Sequence, residues 1–285
     1  MTRYLFLLFI SVISILNSQN NSAIYKNKSL VQLHSLDQEL SDSLLSFNIN
    51  PISCRNSLLE SQIIVDNQTI SWLNQNDVSF SILVDDVEAM INSQMDRIKN
   101  INKNRVLNWF SNYRELDEIE EYLNGIIEKS NIISKEVIGQ SYEGRDISAF
   151  KISVDNGLQN KPSVVINGCQ HAREWITPMV TTFLIEKLSQ EYFNIDEVKT
   201  LLDNVDIHII PVVNPDGYVY TWEEDRWWRK NRQVNNSSDC VGIDLNRNWD
   251  FDWNGNQSTS EDPCSYIYVG PGPFSAPETY FLSEY

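Results

Sequence analysis

Short apolar runs and longer amphipathic segments alternate along the chain from residue 110 onward. The runs predict strands at 135–139, 147–152, 163–166 and 205–213, and the longer segments predict helices near 116–129 and at 174–190 and 196–202. Gly144, within residues 141–146, favours a hairpin turn between the first two strands. Because strand, helices and strand in that order imply a right-handed crossover, the pattern predicts an α/β fold. Its sheet should be mixed, largely parallel and covered by helices on both faces.

Residues 20–96 repeat this alternation on a smaller scale. Apolar runs predict strands at 61–65 and 78–84, and two further segments predict helices at 33–45 and 85–95. The result should be a small α/β sandwich that precedes the larger sheet. Residues 97–105 then contain four basic and no acidic residues. That composition predicts a protease-accessible linker, with a basic helix end as the alternative.

The first nineteen residues differ from the rest of the chain. Arg3 is followed by an apolar run at residues 4–16, and the small residue Ser18 is a plausible cleavage position. The run is shorter than the roughly 20 residues that cross a bilayer as a helix. The pattern therefore predicts a signal peptide at 1–19 and a secreted protein without a membrane anchor. A short buried first helix is the alternative.

Composition narrows the classes of partner. The chain has 285 residues, 41% hydrophobic and 21% charged, with a formal net charge of −17. This is the composition of a globular protein rather than of a disordered one. The excess of acid argues against nucleic acid as a partner, because binding to phosphates needs basic surfaces.

Secretion would allow disulfides among the four cysteines. Cys240 and Cys264 enclose a Gly/Asn/Ser-rich loop of 25 residues, and closing it would stabilise the fold by about 3.5 kcal/mol on the chain-entropy model. Cys54 and Cys169 are left over, Cys169 as a buried free thiol, and the residues alone leave all three pairings open. Sequons that fit a secretory route occur at Asn27, Asn67, Asn235, Asn236 and Asn256.

His171 and Glu174 follow the strand predicted at 163–166. A spacing of three places both side chains on the same side of a first helical turn. An imidazole and a carboxylate are two of the three protein ligands that a catalytic zinc site uses. The alternative is a capping histidine beside a glutamate favoured by the helix dipole.

Further polar motifs follow the strand predicted at 205–213. Residues 214–218 (Asn-Pro-Asp-Gly-Tyr) predict a turn. Residues 226–232 interleave arginine and tryptophan, and stacking on nucleic acid conflicts with the acidic chain and its secretory start. Residues 242–249 add an arginine and an asparagine. Two arginines and an asparagine in one pocket would bind a carboxylate, although each arginine alone is more often a surface ion pair.

Taken in order, these motifs resemble the zinc metallocarboxypeptidases of the pancreatic carboxypeptidase A and B type. The resemblance rests on His-Ala-Arg-Glu-Trp-Ile at 171–176, the Asn-Pro-Asp-Gly-Tyr motif, Trp-Arg-Lys-Asn-Arg at 228–232, Cys-x3-Asp-Leu-Asn-Arg-Asn at 240–248 and Tyr-x-Gly-Pro-x-Pro-Phe-Ser-x-Pro-Glu-Thr at 268–279. It implies a carboxypeptidase-like fold, incomplete in this chain. Residues 20–105 would be an activation segment and residues 106–285 the N-terminal part of the catalytic domain.

The resemblance also implies residue roles. His171 and Glu174 would bind one Zn2+ per complete catalytic domain, and Arg229 would stabilise the oxyanion. Substrate would be bound by Arg173, Asn246 and Arg247, the last two holding the free C-terminal carboxylate of a peptide. Cys240 and Cys264 would form the family's disulfide. A trypsin-like protease would release the activation segment at the basic linker.

The chain departs from the family pattern after residue 279. A third zinc ligand, an aromatic lid residue and a glutamate general base come later in the family, and the other histidines, His34 and His208, do not replace the missing ligand. We therefore expect the 285-residue chain to bind zinc weakly and to be inactive by itself. The alternatives are a non-catalytic protein that binds peptide C-termini, a truncated product, and a related zinc hydrolase acting on non-peptide amides.

Overall fold

A computed structural model describes residues 24–47, 49–52, 61–103, 108–158, 160–236, 238–255 and 259–285. The predicted signal peptide and Cys54 lie outside these ranges. Within them, no helix is both long and apolar enough to cross a membrane.

The N-terminal unit contains a three-stranded antiparallel sheet in the order β2-β1-β3. Its elements are β1 (Lys28–Leu33), α1 (Gln38–Ser46), β2 (Ser61–Asp66), α2 (Asn67–Gln75), β3 (Phe80–Val84) and α3 (Val87–Lys103). The helix predicted at 33–45 was placed too early. Alternate residues of β1 are buried, which is the period of a strand, and the helix begins only after Asp37, whose carboxylate accepts a hydrogen bond from the Leu40 amide (2.8 Å).

Helix α3 includes most of the segment predicted as a linker. Residues 97–103 continue this helix to Lys103, as the alternative of a basic helix end anticipated. Ile98 explains the extension, because it is 3% exposed and belongs to the main hydrophobic core. Residues 104–107 lie outside the described residues.

The second unit is built on a four-stranded mixed sheet in the order β4-β5-β7-β6. Its elements are α4 (Leu116–Ile127), β4 (Ile133–Gln140), β5 (Asp146–Ile152), β6 (Ser163–Asn167), α5 (Ile176–Glu191), α6 (Asp196–Asn204), β7 (Asp206–Ile210), α7 (Pro215–Glu223) and α8 (Pro277–Glu284). The predicted mixed α/β sheet is confirmed, but it is less parallel than expected. Of its described pairings, β4–β5 and β5–β7 are antiparallel and β6–β7 is parallel. Gly144 has φ +86°, as the predicted hairpin requires.

Both faces of this sheet are covered. On one face, Phe150 and Ile209 pack with buried residues of α4, α5 and α6. On the other, Ala149 and Ile210 pack with Leu245 and with Leu282 of α8. Alternation along β5 and β7 therefore distributes their side chains between two cores.

The loops that follow β6 and β7 are held together at one edge of the sheet. Because the strands are parallel, their carboxyl ends lie side by side. The Gly168 amide donates to the Ile210 carbonyl (2.9 Å), and the amides of Val213 and Asn214 donate back to the carbonyls of Gly168 and Cys169 (3.0 and 3.1 Å). A Cβ on Gly168 would lie 2.8 Å from the Pro211 oxygen, so a side chain would separate these loops.

Two local predictions change at this edge. The helix predicted from residue 174 begins at Ile176. The turn predicted at 214–218 is the start of α7, because the Asn214 side chain accepts a hydrogen bond from the Gly217 amide (2.9 Å) and Pro215 occupies the first turn. Cys240 and Cys264 form a disulfide, as the resemblance implied, and Cys169 is a buried free thiol.

Glu278 of α8 is fully buried and makes the folding stability depend on pH. It accepts hydrogen bonds from the Asn231 side chain (2.8 Å) and the Tyr142 amide (3.3 Å), with Asp216 nearby. Burial raises the pKa of Glu278 from 4.5 to about 7. The folded state therefore binds more protons than the unfolded state between these two pH values. We expect this group to lower the free energy of unfolding by roughly 3 kcal/mol as the pH rises from 4.5 to 7.

The Glu278→Gln variant isolates this effect, since a neutral amide keeps an acceptor for Asn231. Urea unfolding between pH 4.5 and 8 should show the variant gaining stability over wild type up to about pH 7 and holding a constant difference above it. Glu284→Gln, an exposed change in the same helix, is the matched control. A difference between Glu278→Gln and wild type that did not vary with pH would contradict the assignment.

Candidate functional site

His171 and Glu174 meet in a turn before α5 rather than on the helix itself. The Glu174 amide donates to the His171 carbonyl (3.2 Å), which closes the turn. As a result, His171 Nδ1 lies 2.8 Å from Glu174 Oε1. The histidine is buried, whereas the glutamate side chain is 41% exposed. The pair therefore faces a surface that a ligand can reach.

Asp244 orients both His171 and Arg229 from the other side. Its Oδ1 lies 3.2 Å from His171 Nε2, and its Oδ2 accepts from Nε and Nη2 of Arg229 at 3.1 and 2.9 Å. A histidine that donates from Nε2 to Asp244 presents Nδ1, the ring nitrogen that faces Glu174, as the atom that would bind a metal. Sequence reasoning missed Asp244, although it lies in the same motif as Asn246 and Arg247. A fully buried carboxylate beside two cationic side chains could not have been read from spacing alone.

The shifted pKa values of His171, Glu174 and Asp244 favour a positive charge on the histidine and negative charges on the two carboxylates. Burial is the largest single influence on the pKa of His171 and would lower it. Hydrogen bonds with Asp244 and Glu174 together outweigh burial and raise this pKa. Burial would likewise raise the pKa of Glu174, and the neighbouring His171 outweighs it and lowers the pKa. For Asp244, His171 and Arg229 outweigh burial and lower the pKa. Both carboxylates are thus held ionised.

The donor set fits part of a zinc site. A catalytic zinc uses three protein ligands and a water molecule, and His171 with Glu174 supplies two suitable donors side by side. Across the described ranges, no group of three His, Cys, Asp or Glu residues is arranged to hold a metal ion. His34 contacts Ser79 and Ser81 in the N-terminal unit, and His208 contacts Tyr285, so neither joins the pair.

The other predicted site residues lie on two segments. Arg173 belongs to the His171 turn, and its guanidinium lies 5.7 Å from the centre of the Tyr266 ring. Asn246 and Arg247 lie on a 3-10 turn, Leu245–Arg247, whose Asn246 amide donates to Asp244 Oδ1 (3.1 Å). Arg247 Nη1 donates to the Asn246 carbonyl (2.9 Å). Asp244 therefore connects the turn that carries Asn246 and Arg247 to His171 and Arg229.

An aromatic stack supports the His171 turn from behind. Trp175 lies parallel to Trp222 at 3.9 Å, and the Arg226 guanidinium lies 3.7 Å from the Trp175 ring centre. Arg226 Nη1 also donates to the Arg173 carbonyl (3.1 Å), and burial lowers the pKa of Arg226 to about 10. Arg226 of the 226–232 motif therefore packs in the interior, against the stack behind the His171 turn.

Hydrogen bonds and a ring contact join the N-terminal unit to the site region. Arg173 Nη2 donates to the Ile52 carbonyl (2.6 Å). The Tyr266 amide donates to Asn50 Oδ1 (3.2 Å). Tyr25, which is 4% exposed, donates its hydroxyl to Asp225 and packs edge-on against Trp227. Arg173, a predicted substrate-binding residue, thus forms a hydrogen bond with the backbone of the N-terminal unit.

Comparison with known proteins identifies similar chains. A family model described as zinc carboxypeptidase matches residues 119–285. The inactive metallocarboxypeptidase ECM14 of Uncinocarpus reesii is 39% identical over 183 residues, covering 62% of this chain and 31% of the relative. Carboxypeptidase B of Rattus norvegicus is 33% identical over 216 residues, covering 75% of this chain and 50% of the relative. The chain therefore spans 31% and 50% of the length of these two curated relatives.

A solved structure is similar across both units. The carboxypeptidase A of Helicoverpa armigera superposes with a TM-score of 0.79 at 27% identity, covering 92% of this chain and 66% of the insect protein. Since the family model starts at residue 119, this wider match includes much of the N-terminal unit.

Proposed function

Since this chain belongs to the zinc carboxypeptidase family, we propose that it is part of a secreted, zinc-dependent carboxypeptidase precursor that removes C-terminal residues from peptides. The observation that carries the proposal is the His171–Glu174 pair, held by Asp244 next to Arg229. A metal ligand pair, a carboxylate behind the histidine and a cation beside it are three of the parts that metal-assisted peptide hydrolysis uses.

Each residue has a task in this mechanism. His171 Nδ1 and the Glu174 carboxylate would hold zinc, which when bound supplies a water of lowered pKa. Arg229, fixed by two hydrogen bonds to Asp244, would stabilise negative charge on the carbonyl oxygen of the scissile bond. Asn246 and Arg247 would hold the terminal carboxylate, and Arg173 would contact the peptide one residue further in.

The mechanism also needs a third zinc ligand and a general base, and no described histidine, cysteine or acid completes the His171–Glu174 pair. Reading the source transcript past the Tyr285 codon tests this part directly. A reading frame that continues and encodes a histidine, a tyrosine and a glutamate in a second α/β half would support the proposed enzyme. An immediate stop codon would contradict catalysis by this product.

Activity is then measured on the longest encoded protein after trypsin treatment. We expect release of the last residue from a peptide with a free C-terminus, none from its amidated twin, and loss of turnover in Glu174→Gln. Cleavage of both peptides at equal rates would contradict a carboxypeptidase.

A non-catalytic peptide-binding protein is the second candidate. It is favoured by the similarity to a relative named inactive metallocarboxypeptidase and by the two-ligand donor set. Calorimetry with the same two peptides separates it from the enzyme. Binding of the free C-terminus without turnover would support the second candidate.

The contacts of residues 24–103 with the site region support the role of an activation segment. With the Ile52 carbonyl on Arg173, a peptide could not use that guanidinium until the N-terminal unit moves away. We propose that a trypsin-like protease cleaves near the basic residues 97–105 and so frees the site.

Tyr25 should control how often the N-terminal unit opens. Tyr25→Phe keeps the ring against Trp227 but removes the hydrogen bond to the Asp225 carboxylate. A hydrogen bond to a charged group is worth about 1.5–3 kcal/mol, which corresponds to roughly 10- to 100-fold more frequent opening. Hydrogen exchange at the Tyr266 amide, which donates to Asn50 of the N-terminal unit, measures this opening. Tyr280→Phe, at an exposed ring, should leave the exchange unchanged; equal exchange in both variants would contradict the anchor.

A further inference from the structure

The sequon Asn67-Gln68-Thr69 lies at an exposed corner of the N-terminal unit. Strand β2 ends at Asp66 and α2 begins at Asn67. The Asp66 carboxylate accepts from the amide and hydroxyl of Thr69 (2.8 and 2.9 Å), which fixes this corner. Asn67 is exposed, and within the described residues its side-chain amide makes no hydrogen bond. A bulky group on this nitrogen would therefore displace no native contact.

The paired strand places a second sequon next to the first. Lys28 of β1 pairs with Asp66 of β2 in antiparallel register. Asn27 thus lies beside Asn67 at the same end of the sheet, and it is exposed as well. However, the hydroxyl of its sequon residue Ser29 is buried and donates to the Asp85 carbonyl (2.9 Å).

Asn235 shows the opposite situation. It is 8% exposed, and its Nδ2 donates to the Cys240 carbonyl (2.6 Å) beside the disulfide. A glycan on this nitrogen would break that hydrogen bond and would need space that the folded loop fills. The sequons that begin at Asn235, Asn236 and Asn256 each include residues outside the described ranges, so Asn235 is judged by its own side chain alone.

We propose that Asn67 carries an N-linked glycan and that Asn235 in the folded protein does not. In the transfer, the Asn67 amide nitrogen forms a bond to the anomeric carbon of an oligosaccharide carried on a polyisoprenyl diphosphate lipid. The bond from that carbon to the diphosphate oxygen breaks, the lipid diphosphate leaves, and the amide nitrogen loses one proton. Transfer can precede folding, so a chain that carries a glycan at a buried asparagine should fail to reach the native structure, whereas a glycan at an exposed asparagine should not interfere.

This inference rests on the proposed secretory route, which delivers the chain to the compartment where the donor lipid is found. It also states where the glycan lies, which is on the N-terminal unit. Cleavage near residues 97–105 would therefore separate it from the catalytic unit.

The test expresses the 285-residue chain in eukaryotic cells, once with its own first nineteen residues and once with a supplied signal peptide. Whole-cell and secreted protein is treated with peptide N-glycosidase in oxygen-18 water, which converts a glycosylated asparagine to labelled aspartate. Peptide mapping then locates the label. Asn67→Gln and Thr69→Val should remove it from the Asn67 peptide, whereas Thr69→Ser keeps the sequon and should keep the label.

The outcomes separate the two proposals. The glycan site is supported if Asn67 is labelled both with the chain's own first nineteen residues and with the supplied signal peptide, and Asn235 is unlabelled in the secreted protein. Label on Asn67 only with the supplied signal peptide supports the site and contradicts secretion by the chain's own N-terminus. An unlabelled Asn67 in protein whose other sequons are labelled overturns the proposal, as does labelled Asn235 in folded, secreted protein. An entirely unlabelled chain with the supplied signal peptide also overturns it.

Discussion

Asp244→Ala is expected to lower the free energy of unfolding by about 3–5 kcal/mol, the range for removing one partner of a buried ion pair. Asp244 is 0% exposed, and its carboxylate accepts hydrogen bonds from two nitrogens of Arg229, which is itself 3% exposed. Without it, the Arg229 charge stays buried opposite a cavity, and the 3-10 turn at Leu245–Arg247 loses the acceptor for the Asn246 amide. Urea unfolding at constant pH measures the loss.

Two further variants show whether charge or packing causes this loss. Asp244→Asn keeps the shape and one acceptor oxygen but removes the charge, so we expect it to lie between wild type and Asp244→Ala. The double variant Asp244→Ala with Arg229→Met removes both charges and should be less destabilised than the sum of its single changes. Additive losses in the double variant would contradict a buried ion pair.

The sequence located the site because strand order and polar motifs agree. Parallel strands place their carboxyl ends together, so the strand pattern alone assigns residues after 163–166 and after 205–213 to one edge of the sheet. The loop hydrogen bonds between Gly168, Cys169, Val213 and Asn214 have this origin. His171 and Glu174 could be paired by spacing alone, although a turn rather than a helix joins them.

Features that depend on distant partners were not accessible in this way. Asp244 lies 73 residues from His171, and its role comes from contacts that only the fold creates. Helix α3 continues past the basic residues because Ile98 packs into a core formed by later elements. The helix predicted at 33–45 begins before its N-cap residue Asp37 and includes Leu33, the last residue of β1. Strand β1 and helix α2 were not predicted at all. Local patterns therefore predicted many of the elements, and long-range burial determines the end of α3 and the charged network.

The disulfide is the second feature with a large expected effect. Cys240 and Cys264 are 24 residues apart and close the segment that carries Asp244, Asn246 and Arg247. Replacing both cysteines by serine frees this loop in the unfolded chain, which the chain-entropy model values at about 3.5 kcal/mol. The folded loop keeps other restraints, including the hydrogen bond from Lys230 Nζ to the Pro263 carbonyl (2.6 Å), so we expect the variant to fold with lower stability.

Reduction provides the matched comparison. Dithiothreitol should lower the stability of the wild type by about as much as the double substitution does, because both open the same loop. It should leave the Cys240→Ser, Cys264→Ser variant unchanged, since Cys169 is a free thiol in the folded protein. A variant as stable as the oxidised wild type would mean that the packing of this loop, and not the covalent closure, fixes Asp244 opposite His171. In that case, Asp244→Ala should lower the free energy of unfolding by the same amount with and without the disulfide. If the loop instead depends on the disulfide, the decreases caused by Asp244→Ala and by removal of the disulfide should not be additive.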